Sequence, residues 1–508
     1  VSPMAGERLA MLGLSGRVIG RSGVVVLGSF FRWGLIVASV TGLVWSEPAA
    51  ANDDDDEETG SEPSYQINDP FPDRPMRPTT VPEFGQPKAI FYNPYGLTDW
   101  LRRHGIGLLF DTTNEYTGAV TPPTRGFPEY RQGSSNAGQY AVSLNMDWER
   151  IAHVKGFATH MVVTGRYGTP ANRMFGDWLN HSSEIYGGGG NVVVHLVMAY
   201  GEETLYDGKL AIAAGRMAEL SDFVASPLYC TFQNNAMCGR PRAAADTGYA
   251  STFPAGVWGT RVRGRPLHHA YIQFGLYLTE EGIFSYAMNR TGFKFNSAYI
   301  NGVRMPLEMG WEPKIGGTLA GHYKIGAALT TAPQPDSFED ITGRPYALTG
   351  LPQRQHRASY NAWVLMDQKF VTYRHRPDNK DPGLTGLWGF LYNDKRVSLR
   401  NWQVFAGLIS RGTFRGRPDD TLALAFSYTA MSPGVQRSQE LLRAQGKALP
   451  NRATGIQRHA VVMELNYGVH LFRGVLFQPV AELFMRPNGQ GNLRDAVLLG
   501  FKSHVEFL

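Results

Sequence analysis

Charged side chains are scarce in this chain. They make up 18% of its 508 residues, against roughly a quarter in an ordinary soluble domain. The net charge of +5 is small and scattered, so no nucleic-acid partner is indicated. Cysteine is nearly absent: Cys230 and Cys238 are the only two, in a segment rich in Asn, Pro and Arg. No histidine accompanies them there, so a zinc site is not expected. In an exported chain they are expected to form one loop-stapling disulfide, with two free thiols as the alternative. Long apolar runs are missing too. Beyond the N-terminal region no segment approaches the about 20 apolar residues that a membrane-spanning helix needs. A membrane form of this chain would therefore have to be a closed barrel, the other structure that satisfies its backbone polar groups in lipid.

At the N-terminus, Arg8, Arg17, Arg21 and Arg32 precede an apolar run at 33–45, followed by Ala49, Ala50 and Ala51. This resembles a secretory leader with a small-residue cleavage region, expected over 1–51. A membrane anchor is the competing reading, but Arg32 interrupts the longer stretch that begins at Gly20. Residues 52–90 carry the run Asp53, Asp54, Asp55, Asp56, Glu57, Glu58 and then Pro63, Pro70, Pro72, Pro75, Pro78, Pro82 and Pro87. Such a segment buries little and is expected to be a disordered periplasmic arm. Its acidic run lacks the ordered oxygen spacing of an EF-hand and reads as a solvated linker.

The whole chain carries 58 Gly, 27 Phe and 23 Tyr, most of them in what remains, 91–508. Strand-like pieces are separated by Gly, Pro, Asn and Asp turns. The clearest lie near the end, at 461–484 and 495–507. Met463, Leu465, Tyr467, Val469 and Leu471 share one face, and Glu464, Asn466 and His470 the other. After the Arg473-Gly474 turn, Phe477, Ala481 and Leu483 oppose Gln478 and Glu482; then Val497, Leu499, Phe501, Val505 and Phe507 oppose Lys502, His504 and Glu506. Period two means strand. A soluble sandwich gives the same alternation, but carboxylates, imidazole and lysine at alternate positions suit a wet lumen behind an oily wall. The same sorting recurs around Ile272, Phe274 and Leu276, around Tyr323, Ile325 and Ala327, and around Trp402, Val404 and Leu408. The expected fold is all-β, a transmembrane antiparallel barrel of about 16 strands, with about 18 as the alternative. Tyr92, Trp100, Trp148, Tyr200, Trp258, Trp363, Trp388, Trp402 and Tyr428 are candidates for its interfacial aromatic girdles.

Several motifs carry more than alternation. Asp99-Trp100-Leu101 and Gly105-Ile106 lead into the first strand, and Ala213-Ala214-Gly215-Arg216 ends a strand before a long loop. Asp367-Gln368 and a stretch at 407–420 follow. The chain then shows Glu464-Leu465-Asn466-Tyr467, Leu476-Phe477-Gln478-Pro479-Val480 and Arg486-Pro487-Asn488-Gly489 in that order. From residue 96 onward these resemble the OprB-like carbohydrate-selective porins of Gram-negative outer membranes. Two features depart from the pattern: Leu508 follows Phe507, where outer-membrane barrels typically end on an aromatic, and the acidic, Pro-rich arm is extra. The resemblance implies passive diffusion of mono- and small oligosaccharides through a narrowed, polar aqueous channel.

Sugar hydroxyls both donate and accept, so arginine with carboxylates can replace their hydration, while an aromatic ring receives the apolar sugar face. Binding has to stay weak for flux to continue. The constriction is expected where a loop folds inward after Arg216, with Arg216 itself, Glu219, Asp222, Arg240 and Arg242 as polar groups and Phe223, Tyr229 or Phe232 as sliding surface. Glu464, Gln478, Glu482 and Arg486 would complete the ring from the wall. Small saccharides are the expected partners, with outer-membrane lipid or lipopolysaccharide around the wall and the assembly machinery during insertion. A homo-oligomer and a periplasmic partner for the arm stay open.

Enzymatic readings fare worse, and no cofactor or metal is expected. Glu202-Glu203 and Glu280-Glu281 are adjacent on strands and point to opposite faces. The glycine run at 187–190 lacks the lysine and Ser or Thr of a phosphate-binding loop. The 13 histidines, His153 and His268-His269 among them, show no ligand spacing. Two alternatives remain at this level: a plugged, low-conductance barrel that anchors a complex, and an exported soluble sugar-binding or hydrolytic β-domain.

Overall fold

A computed structural model describes residues 89–91, 93–185, 193–247, 249–267, 269–281, 291–293, 299–373 and 382–508. The expected leader, nearly all of the arm, Tyr92, the glycine run at 187–190 and His268 lie outside the described residues. Alternating sequences become strands here because each strand has one face against lipid and one against the lumen. In chain order the wall strands are β1 (Ile106–Ala119), β2 (Ser134–Asp147), β3 (Phe157–Gly168), β4 (His195–Leu205), β5 (Leu210–Met217), β6 (Val257–Leu267), β7 (Ala270–Glu280) and β8 (Ile300–Trp311). They continue with β9 (Leu319–Thr330), β10 (Ser359–Thr372), β11 (Gly383–Asn393), β12 (Arg400–Arg411), β13 (Thr421–Met431), β14 (His459–Phe472), β15 (Val475–Met485) and β16 (Ala496–Glu506). Of the 17 strands in the sheet, the remaining one is the short piece Lys314–Ile315, paired with the start of β9. Every wall strand is antiparallel to its neighbours. The barrel closes where β1 pairs with β16, from Asp111 opposite Glu506 to Ala119 opposite Leu498, which removes the exposed edges an open sheet would carry.

The wall is sorted inside out relative to a soluble domain. Leu465, Ile325 and Leu499 are 50%, 54% and 52% exposed, whereas Glu464, Gln478 and Lys502 are at most 2% exposed. Aromatic pairs run along the outer face, including Phe110 with Phe507 and Trp402 with Tyr428, both with ring centroids 5.0 Å apart. Two of the girdle candidates belong elsewhere. Tyr200 is buried and stacked on His160 at 4.9 Å, and Trp363 is buried with its indole N–H donated to Glu308 at 2.8 Å. Their register places them on the lumen side, where each ring finds a polar or aromatic neighbour.

The two ends of the barrel differ. At one end the connections are short, as at 206–209, 268–269 and 473–474; at the other lie the long segments 169–194, 218–256, 331–358 and 432–458. Outer-membrane barrels keep short turns in the periplasm and long loops outside. The 432–458 loop carries a helix, α1 (Pro433–Ala444), and 331–358 carries a two-stranded ladder, Gln334–Asp340 with Gln353–His356. Ile90 and Phe91 donate their N–H groups to the carbonyls of Glu506 and Phe507, both at 2.9 Å, which fixes the start of the barrel unit at the short-turn rim.

Candidate functional site

The 218–256 segment does not stand outside the barrel. Its Leu220, Phe223, Val224, Leu228, Phe232, Met237, Ala243 and Ala244 are buried, packed together in one cluster with wall residues such as Phe405 and Leu365. Phe223 meets Tyr277 edge-on at 6.1 Å, and Tyr229 meets Phe405 edge-on at 5.5 Å. Cys230 and Cys238 are joined in a disulfide with Cα atoms 4.3 Å apart.

Wall side chains hold this loop by its backbone. The Glu464 carboxylate accepts the N–H groups of Gln233 at 2.8 and 3.0 Å and of Asn234 at 2.7 Å, and an amide N–H of Asn466 at 2.7 Å. Lys502 Nζ donates to the carbonyls of Phe232 at 2.6 Å and Cys230 at 3.3 Å, and pairs with Glu115 at 3.4 Å. Gln478 and Asn466 each donate to the Thr231 carbonyl. Gln403 receives the N–H of Ala243 and donates to the carbonyl of Ala236. Each buried N–H left without its acceptor would cost about 1–3 kcal/mol, so the inward position is specified by many wall strands at once.

Between this loop and β1, β2, β3 and β16 there remains a cleft. Its lining includes Asp111, Glu115, Gln139, Arg166, Glu184, Arg240, Phe253, Lys502, His504 and Glu506. Arg166 is one of its lining cations. The guanidinium donates to Gln139 at 2.7 Å, meets both oxygens of Glu184 at 3.3 and 3.4 Å, and lies 5.1 Å from the ring of Phe253. One of its nitrogens, Nη1, is buried and has no hydrogen-bond partner among the described residues. Fixed donors and acceptors of both signs beside an aromatic ring are the set that a neutral polyol requires.

The carbohydrate-selective porin family, OprB, matches residues 131–507. The chain belongs to the OprB family of carbohydrate-selective porins. Porin B of Pseudomonas aeruginosa is 25% identical over 415 residues, spanning 78% of this chain and 87% of that protein. A putative porin, QuiX, of Acinetobacter baylyi is 24% identical over 389 residues, spanning 73% and 83%. The fold matches the high-pH structure of Pseudomonas putida OprB with a TM-score of 0.76 at 24% identity, covering 83% of this chain and 99% of that one. This OprB-family porin is thus an integral protein of the Gram-negative outer membrane and a channel for sugars.

The porin distributes its sequence-predicted site residues in two ways. Arg240 lines the cleft. Most of the others join loop to wall: Glu219 pairs with Arg304 at 2.6 Å, and Asp222 pairs with Arg261 at 2.5 Å and accepts the hydroxyl of Tyr277 at 3.1 Å. Glu482 accepts from the Asn234 side chain at 3.0 Å, and Arg242 Nε donates to the carbonyl of Leu179 at 3.3 Å. Phe223 is fully buried on the wall side of the loop. Arg216, near the end of β5, is buried, with Glu280 on β7 within electrostatic reach. Arg486 lies at the start of the 486–495 loop, its N–H bonded to Asp495 at 2.8 Å. The sequence reading did not single out Glu115, Gln139, Arg166, Glu184 or Phe253. The alternation of Thr164 and Arg166 with Val163 and Tyr167 carried the signal for Arg166; Glu184 and Phe253 sit on loops, where no period exists to read.

Proposed function

We propose that saccharides cross the porin through the cleft between the inward loop and β1, β2, β3 and β16. Arg166, Glu184, Arg240, Glu115 and Gln139 exchange hydrogen bonds with sugar hydroxyls, and Phe253 offers a face to the ring carbons. Glu219, Asp222, Phe223, Glu464, Gln478 and Glu482 shape the passage from behind by holding the loop, and Arg242 does so from the long-loop side. Arg216 and Arg486 lie at strand ends toward the long-loop mouth and act on entry rather than on the narrowest point. The observation that carries this reading is the Arg166 cluster: a charged, hydrogen-bonding array beside an aromatic ring, with an unused N–H, on the open side of the loop. Lipid or lipopolysaccharide against the outer wall, the assembly machinery, a homo-oligomer and a periplasmic partner of the 52–90 arm extend the same reading.

The test is single-channel recording in planar bilayers while neutral mono- and oligosaccharides are titrated. Wild-type protein is expected to give discrete steps that sugar blocks in a saturable way. Arg166→Ala is expected to weaken that block about tenfold, the order of one charge-assisted hydrogen bond. Steps whose sugar block is the same in Arg166→Ala would remove the cleft as the sugar path, and folded protein without steps would favour the plugged barrel.

A further inference from the structure

Glu308 on β8 and Glu464 on β14 do not line the cleft, yet they hold the loop just before Ala225 and just after Cys230, two of the residues that do. Ala225, Ser226 and Cys230 face the cleft, and the disulfide to Cys238 ties Gly239 and Arg240 to them. Upstream of this stretch, Glu308 accepts the N–H of Val224 at 3.1 Å. Downstream, Glu464 accepts the N–H groups of Gln233 and Asn234.

Val224 is the informative residue. It is β-branched and fully buried, and it holds a φ of 61°. A β-branched residue in the left-handed region is strained and persists only where the surroundings over-determine it. The surroundings here are the Glu308 carboxylate, itself fixed by Tyr271 hydroxyl at 2.8 Å, Gln273 at 2.9 Å and Trp363 at 2.8 Å. The strand order puts β8 across the barrel from β16 and β1, whose residues form the far wall of the cleft. Glu308 thus holds the Val224 end of the loop on the side away from β16 and β1, against the strain at Val224.

We propose that Glu308 and Glu464 are positioning residues that hold the loop back and keep the sugar cleft open, with Val224 as the strained hinge at the Glu308 end. Freed at Glu308, Val224 relaxes toward negative φ, and the stretch after it moves into the space beside Arg166. The inference rests on the cleft being the sugar path.

Single-channel recording of Glu308→Gln and Glu464→Gln in the absence of sugar tests it, on protein whose barrel is shown intact by heat-modifiable gel mobility. Each is expected to lower the mean conductance at least about twofold and to add flickering substates, because a neutral amide is a weaker acceptor than a carboxylate. Adding Val224→Gly to Glu308→Gln is expected to restore steady, wild-type steps, since glycine adopts positive φ without strain. Loss of barrel stability alone gives no such rescue. Unchanged or larger steps in both glutamine variants overturn the proposal, as does failure of Val224→Gly to restore Glu308→Gln. If neither glutamine variant folds, Glu464→Asp, which keeps the charge and retracts it, is read the same way: steady wild-type steps there overturn the proposal. Sugar block that persists in steady Glu308→Gln channels defeats the holding role and leaves the cleft reading standing. Sugar block indifferent to Arg166→Ala defeats the cleft reading instead.

Discussion

At the scale of single residues, the cleft is governed by charge compensation. Arg166 and Glu184 form a pair at 3.3 Å whose side chains are 3% and 12% exposed, so each is partly desolvated and depends on the other. Neutralising one member leaves the other's field in the narrow part of the channel. Glu184→Gln is therefore expected to move the reversal potential in a salt gradient toward anion preference and to weaken sugar block several-fold, by disturbing the geometry of Arg166. A reversal potential equal to wild type would show that this pair does not face the permeating ions. Among the residues read from sequence, Arg240 comes to line the cleft because it follows directly on the disulfide-closed 230–238 segment rather than on a wall strand. The wall partners Glu464, Gln478 and Glu482 were legible as inward positions, but not as anchors, because their partners lie more than two hundred residues away in the chain.

At the scale of elements, strands and loops obey different rules, and this decided what could be read. Wall strands repeat every two residues because lipid and lumen alternate, so β14, β15 and β16 were recoverable from hydropathy alone. The 218–256 loop is as buried as a core yet shows no period, since its backbone is satisfied by side chains from β8, β12, β14, β15 and β16 rather than by a ladder. The ladder at 334–356 shows another way to fix a loop. Asp340 accepts the N–H and hydroxyl of Thr342, both at 2.7 Å, the N–H of Arg344 at 3.0 Å and the hydroxyl of Thr349 at 2.6 Å. Burial alone would raise its pKa, but these hydrogen bonds outweigh it and hold the carboxyl well below the usual range. A depressed folded-state pKa contributes stability that is present above the unfolded value, about 3.9 for Asp, and is lost only as pH falls through the lower folded one. The long-loop cap is therefore expected to resist limited proteolysis unchanged between about pH 5 and 8. Asp340→Asn is expected to expose 341–351 to cleavage at neutral pH while the barrel keeps its heat-modifiable mobility. Equal resistance of the variant would remove Asp340 as the organiser of this loop.

At the scale of the whole molecule, anchoring and connectivity lead to two further expectations. Because wall contacts alone fix the inward loop at many points, reduction of Cys230–Cys238 is expected to leave the barrel's unfolding temperature unchanged and to raise open-channel noise; a lowered barrel transition would mean that the disulfide supports the wall itself. The asymmetry of the connections sets the orientation. Long loops carrying α1 and the 334–356 ladder gather at one end, and the short turns, together with the entry of the chain at Ile90 and Phe91, gather at the other. A chain exported across the inner membrane inserts from the periplasm, and short turns pass less polar backbone through lipid than long loops do, yet the long loops end outside in outer-membrane barrels. Lys447, beyond α1, and Lys209, in the 206–209 turn, are both exposed and report the two sides. Lys447→Cys is expected to react on intact cells with a maleimide too bulky for the pore, and Lys209→Cys only after the outer membrane is opened. The reverse pattern would turn the barrel over, placing the long-loop end, with Arg166 near the end of β3 and the 169–194 and 432–458 loops, in the periplasm. Sugar would then meet the acidic Asp111–Glu506 rim before the arginines rather than after them.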